Sequence, residues 1–238
     1  MIALLFLGFS AGLPFLLVFS TLNARRADVG VDTATIGFFS WLGITYSSKV
    51  FWAPVVDRLK LPLLDRLLGK RRSWIILAQA GIATGLYLMA HVDATAAPEM
   101  MALFGLLVAF SSATQDVAID AYRIEIAEER LQAALAATYI FGYRLALLVA
   151  GAGSLYLAEF WSRPVSYEIM AALVGVGALT VLIVREPSVN HFAAAQDIAH
   201  KIEHEAAKLT HLNHRLARLV GWFYAAVAGP FLDFFRRY

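Results

Sequence analysis

The sequence predicts an all-α integral membrane protein with six transmembrane helices, followed by an amphipathic helix outside the bilayer. Three observations carry that prediction. Hydrophobic residues make up 60% of the chain and charged residues 16%, with a mean hydropathy of +0.65. Soluble domains run nearer to about 45–50% and about 25%. The apolar residues form six blocks rather than stripes, each close to the roughly 20 residues that carry a helix across about 30 Å of hydrocarbon. Lys and Arg, finally, are dense in alternate loops and sparse in the others. Barrel strands would instead be segments of about ten residues with alternating polarity.

The first block, 2–22, lacks the charged start and A-x-A site of a secretory signal, and its length suits a full span. It opens directly on apolar residues, so a few residues are expected upstream. Gly12 and Pro14 predict a bend within it. The second and third blocks are 34–56 and 73–92; the fourth, fifth and sixth are 99–120, 132–158 and 166–184. Turn-forming and charged stretches such as ARRADVGVD, HVDATAAP and EFWSRPVS separate them. Gly142, Gly151 and Gly153 predict close helix contacts in the fifth block. GFSAG (8–12) in the first block and AFSSA (109–113) in the fourth occupy comparable places, as a duplicated three-span unit would have them.

These blocks define a transmembrane unit over 1–186. In the remainder, 187–238, Ile198, Ile202, Leu209, Leu212, Leu216 and Leu219 are spaced largely by threes and fours among mixed charges. That is the pattern of an amphipathic linker helix. The later run LVGWFYAAVAG is too short to cross a bilayer.

Orientation follows from the basic residues, because short basic loops stay cytoplasmic. Arg58, Lys60, Arg66, Lys70, Arg71, Arg72, Arg123, Arg130 and Arg185 fall on one side; Arg25, Arg26 and Arg163 fall on the other. Both termini are therefore expected in the cytoplasm.

Composition also narrows function. A net charge of +2 gives no reason to expect nucleic acid, and the absence of cysteine excludes disulfides and thiolate metal sites. No nucleophile–base pair, metal set or phosphate loop is recognisable, so neither an enzyme nor a cofactor is expected. His200 and His204 are four apart, but the second His of an H-E-x-x-H motif is missing, so no metal is expected there.

Charge inside a span costs about 2.5–3.5 kcal/mol and marks cavities, pairs or relays. Lys49, Asp116 and Arg144 are such residues. Counted from the span ends, Lys49 and Asp116 lie at similar depth, roughly 10 Å from one edge, with Arg144 deeper but long enough to extend toward Asp116. Asp116, Asp120 and Arg123 share one helix face, with Asp120 and Arg123 near the boundary. Dehydration of Asp116 favours its protonated form, whereas a nearby cation favours the carboxylate. A carboxyl balanced between the two suits proton coupling; a permanent salt bridge that fixes packing is the alternative. Lys49 and Arg144 could meet an anionic substrate, with Gln115 beside them. Among the nearby aromatics Trp41, Tyr46, Trp52, Tyr139 and Tyr143, Tyr46 shares a face with Lys49, and Tyr143 adjoins Arg144.

QDVAIDAYR (115–123), WAPVVDR (52–58), FSAGLPF (9–15), GYR (142–144) and GPFLDFFRR (229–237) together resemble the AmpG-type muropeptide permeases of the major facilitator superfamily. The related acetyl-CoA transporters are similar in the Gln-Asp core. The resemblance implies the amino-terminal half of a twelve-span carrier, built from two three-helix repeats. In the family, GPFLDFFRR leads into a seventh span, so a second transporter half is implied as partner. It further implies proton-driven import of anhydro-muropeptides across the bacterial inner membrane for cell-wall recycling. The partners would then be the lipid bilayer, the proton and a glycopeptide. An acetyl-CoA-like cargo, or a non-transporting fragment that acts in assembly, are the alternatives. Ala53, Asp57-Arg58 and, after an insertion, Gly69-Lys70-Arg71-Arg72 match the superfamily's loop between spans two and three. By resemblance Asp57, Arg58, Lys70, Arg71 and Arg72 gate the inner face, with Asp120 and Arg123 at the same edge.

Overall fold

The computed structural model of the chain describes residues 1–28, 48–93 and 96–187, with Ile44, Leu216, Val220 and Gly221 as isolated positions. The chain divides into two units, Met1–Pro187 and Ser188–Tyr238. Trp41, Tyr46, the first part of the second block, the Arg58 side chain and the amphipathic tail with His200 and His204 lie outside the described residues.

The described residues contain helices and no strand. Helix α1 spans Ile2–Asp28 and runs through Pro14. Helix α2 spans Lys49–Arg58, the short α3 Leu64–Leu68, α4 Lys70–His91 and α5 Pro98–Glu125. Helix α6, Glu129–Leu148, continues through a π-helical turn at Val149–Gly153 into α7, Ser154–Phe160. Helix α8 spans Arg163–Ile183. Four of these are long and apolar enough to cross a membrane: Lys70–His91, Glu99–Glu125, Glu129–Phe160 and Arg163–Ile183. They correspond to the third to sixth apolar blocks. Helix α1 contributes a shorter apolar stretch, Ile2–Val18.

The helices overrun the apolar blocks, most clearly at Lys70 and Glu125. Hydropathy marks where hydrocarbon ends, whereas the backbone keeps its hydrogen bonds until a capping residue stops it. Gly69, at φ 88°, is that stop between α3 and α4. Pro98 lies in the first turn of α5, where its missing N–H leaves no bond unmade. The Ser162 hydroxyl accepts from the Val165 N–H at 3.4 Å and caps α8.

Helix α1 packs most extensively on α6. Gly8 lies against the Tyr139 carbonyl and Gly142 against the Leu5 carbonyl, so a Cβ at either would run into the facing backbone. Gly12 is nearly as tight, with the Tyr143 carbonyl oxygen 2.6 Å and the Ala146 Cβ 2.8 Å from where its own Cβ would be. Small residues here allow backbone-to-backbone approach, which in lipid replaces the hydrophobic drive available in water. The core has two parts along the bundle. Leu4, Leu7, Val56, Ile75, Ile119 and Val181 fill one; Leu13, Ile82, Leu86, Val108, Met170 and Val174 fill the other.

The packing also has an internal equivalence. Exchanging α1, α2 and α4 with α5, α6 and α8 turns the α1–α6 contact into α5–α2 and the α4–α5 contact into α8–α1. It leaves α1–α5 and α4–α8 unchanged, and all of these pairs touch. The side chain of Ser10 sits on Gly177 of α8, and that of Ser111 sits on Gly81 of α4. The same exchange relates these two contacts. GFSAG and AFSSA therefore mark equivalent serine-on-glycine crossings in the two triplets.

Candidate functional site

Two groups of charged residues stand out, one inside the bundle and one at its end. The interior group forms where α2, α5 and α6 meet. Lys49 is the first residue of α2, and its Nζ lies 3.8 Å from Oδ2 of Asp116 on α5. Their side chains are 36% and 18% exposed, so the pair is half open rather than sealed. From α6, the Tyr139 hydroxyl donates to Oδ1 of Asp116 at 3.4 Å. Tyr143 follows one turn later, its ring 6.4 Å from that of Tyr139. Trp52, on α2, stacks at 4.9 Å on Phe110 of α5. The similar depth expected for Lys49 and Asp116 thus becomes a direct pairing.

Both contacts to Asp116 are longer than ordinary charge-assisted hydrogen bonds. Among the described residues the carboxylate is held by charge and by a phenol at the edge of range, with no short bond that locks its position. Such a group can change partners at modest cost.

Two further sequence candidates fall elsewhere. Arg144 is exposed and makes no ion pair with Asp116 among the described residues, contrary to the reach expected for it. The helix explains why. Tyr139 and Tyr143 are four apart and share a face, whereas Arg144 is rotated about 100° from Tyr143. Gln115 is fully buried, and neither amide atom has a hydrogen-bond partner.

The second group ties the basic ends of α2, α4, α5 and α8 together through Arg71. Its Nη1 meets Oδ1 of Asp57 at 2.6 Å. Its Nε donates to both Glu125 oxygens at 3.0 Å, and its Nη2 to Oε1 at 2.5 Å. The Arg71 side chain is 8% exposed and that of Glu125 14%, so their pairing is formed largely out of water, whereas Asp57 meets Arg71 from the half-exposed side. The planar guanidinium suits it, because the fork holds one carboxylate by two edges while reaching another. Lys70 donates to the Asp57 carbonyl.

Helices α4 and α8 also cap one another. Glu186, just past α8, accepts from the backbone N–H of Arg71 at 2.7 Å and of Arg72 at 3.2 Å. In return Arg72 donates to the Val181 and Leu182 carbonyls at 2.7 and 3.0 Å. Each helix end thus receives the charge that complements its dipole. Asp120 and Arg123 pair at 3.1 Å along α5, apart from this network.

The sequence candidates Asp57, Lys70, Arg71 and Arg72 are therefore brought together. Glu125 and Glu186 were missed as partners, although they supply most of the carboxylate oxygens. The available signal was two acids, each just after an apolar block, at the end where the basic residues gather. Among the described residues, no cluster of His, Cys, Asp and Glu is arranged to hold a metal ion.

Four helices long and apolar enough to cross a membrane, with an ionisable pair inside the bundle, make this an all-α protein of the membrane-spanning type. Comparison with known proteins narrows the class. Residues 1–97 match the family model described as acetyl-coenzyme A transporter 1. A transporter of Rickettsia felis named AmpG 4 is 32% identical over 233 residues, which are 97% of this chain and 51% of that protein. The anhydromuropeptide permease of Escherichia coli is 35% identical over 186 residues, 78% of this chain and 37% of the permease. The chain is thus similar to AmpG-type permeases over most of its own length, as its motifs led us to expect. It spans about half the length of the curated relatives it matches.

Proposed function

We propose that this chain forms one half of a proton-coupled secondary transporter that imports anhydro-muropeptides across the bacterial inner membrane. The observation that carries the reading is the half-open Lys49–Asp116 pair in a bundle similar to permeases of that type. In this proposal the described helices, with a second span completed by residues before Lys49, are the amino-terminal half. A second half closes the other wall of the cavity. Alternating access is a rocking of the two halves about a midplane site.

Asp116 takes the proton. In its carboxylate form it holds Lys49; once protonated it releases the ammonium, which then meets an anionic group of the cargo. Arg144, with Tyr46 and Tyr143 nearby on the chain, recognises further polar groups. The Arg71 network, with Arg58, Asp120 and Arg123 at the same edge, closes the cytoplasmic face, where both termini lie. Asp116→Asn in the complete carrier abolishes uptake of labelled anhydro-muropeptide into proteoliposomes driven by a pH gradient. Undiminished uptake at equal protein level sinks the coupling role.

The match of residues 1–97 to an acetyl-coenzyme A transporter model supports a second reading, in which the same bundle carries a nucleotide-linked acyl group. Direct uptake decides between them: under the first reading the proteoliposomes accumulate labelled anhydro-muropeptide and unlabelled acetyl-CoA does not compete, whereas under the second they accumulate labelled acetyl-CoA and not the muropeptide.

A further inference from the structure

The connection between α2 and α4 does not fold as a plain polar loop. Residues 59–69 contain six leucines, and the structure sorts them onto two sides. Leu61, Leu64 and Leu68 are half-buried. Leu59, Leu63 and Leu67, spaced by fours, are 53%, 79% and 80% exposed. Charge is sorted the same way. Lys60 and Arg66 are exposed beside these leucines, whereas both carboxylate oxygens of Asp65, the one acid in the segment, are buried. The outer side is therefore apolar and cationic, without an exposed acid. The segment is also pinned: the Trp74 indole N–H donates to the Leu59 carbonyl at 3.0 Å, and the Lys70 ammonium donates to the Asp57 carbonyl.

Leu67 lies three residues before Lys70, where a membrane-crossing helix begins, so it is within about 10 Å of that end. A surface with leucines at its centre and cations at its side, fixed at the level where a span leaves hydrocarbon, matches one partner in chemistry and position. We infer that Leu59, Leu63 and Leu67 insert into the headgroup–acyl boundary of the bilayer around the bundle. There Lys60 and Arg66 hold anionic lipid phosphates. Interfacial helices bind by this combination of buried apolar area and attraction to anionic lipid. The segment then anchors the start of α4, where Arg71 makes its network, to the leaflet it faces. The inference does not depend on which solute is carried.

Because the chain has no cysteine, a single introduced one reports its own surroundings. Leu63→Cys and, separately, Leu67→Cys are labelled with a small fluorophore in the full chain, alongside Arg130→Cys as an aqueous reference; the Arg130 side chain is 77% exposed. Each is reconstituted in nanodiscs of phosphatidylcholine with or without phosphatidylglycerol. Quenching is measured with aqueous iodide and with lipids spin-labelled high on the acyl chain. Labels at Leu63 and Leu67 are expected to be quenched by the lipid probe and protected from iodide relative to Arg130, more so with phosphatidylglycerol. Lys60→Gln and Arg66→Gln each weaken docking on anionic discs by about fivefold, the effect of one cation at such a surface. Iodide quenching equal to that at Arg130 overturns the inference. So does protection from both quenchers, which would mean that protein covers the leucines. Docking that is indifferent to phosphatidylglycerol overturns the anionic-lipid assignment.

Discussion

Arg71 and Asp116 are both charged groups with opposite charges beside them, yet they are held in different ways. Arg71 makes several hydrogen bonds of 3.0 Å or less to two carboxylates, with its own helix end capped by a third. Among the described residues, Asp116 has one ammonium at 3.8 Å and one phenol at 3.4 Å. The first arrangement is over-determined: loss of one contact leaves others that impose the same geometry. The second is held, among the described residues, by fewer and longer contacts. The two groups therefore use similar residue types and differ in the number and length of their described bonds.

Substitution can break that contrast. The largest effect on stability is expected at Arg71→Ala, which strands Glu125, 14% exposed, at a largely dry helix junction and leaves the half-exposed Asp57 without its partner. Breaking a buried pair of this kind costs about 3–5 kcal/mol, visible as a lower thermal midpoint in detergent or as loss of membrane-inserted protein. Gly142→Leu comes next. It forces the backbones of α1 and α6 apart, at about 1–3 kcal/mol by the usual cost of overpacking, and the same melting assay reads it.

Asp116→Asn should cost less stability than Arg71→Ala, because its contacts are fewer and longer, while removing gradient-driven uptake. Exchange of the charges, Lys49→Asp with Asp116→Lys, sharpens the point. A static bridge would survive the swap with uptake intact, whereas a proton-carrying Asp116 would not. Arg144→Ala is expected to be smallest in stability, within about 0.5 kcal/mol, because its side chain is exposed and has no described ion pair. Any effect of it on uptake would then report on cargo rather than on folding.

Much of the fold could be read in the sequence because the bilayer simplifies the problem. Twenty apolar residues have few options besides a spanning helix, and the third to sixth blocks became four such helices. Depth, too, was countable at 1.5 Å per residue, which placed Lys49 level with Asp116. Rotation about the helix axis was harder. Arg144 looked near enough to Asp116 in depth and is turned away from it. Glu125 and Glu186 were visible as acids at helix ends, but their common partner is fixed by how α4, α5 and α8 converge. No local pattern encodes that convergence. The five-residue likeness between GFSAG and AFSSA was short, and its meaning emerged only when each serine was found seated on a glycine of the other triplet.

The interleaving of the two triplets bears on how the protein is made. The principal partner of α1 is α6, which is not synthesised until residues 129–148, and α4 packs chiefly on α5 and α8. The early helices thus enter the bilayer before their lasting neighbours exist. Assembly must wait for the sixth apolar block, so a ribosome that stalls after α4 would leave inserted helices that quality-control proteases can extract.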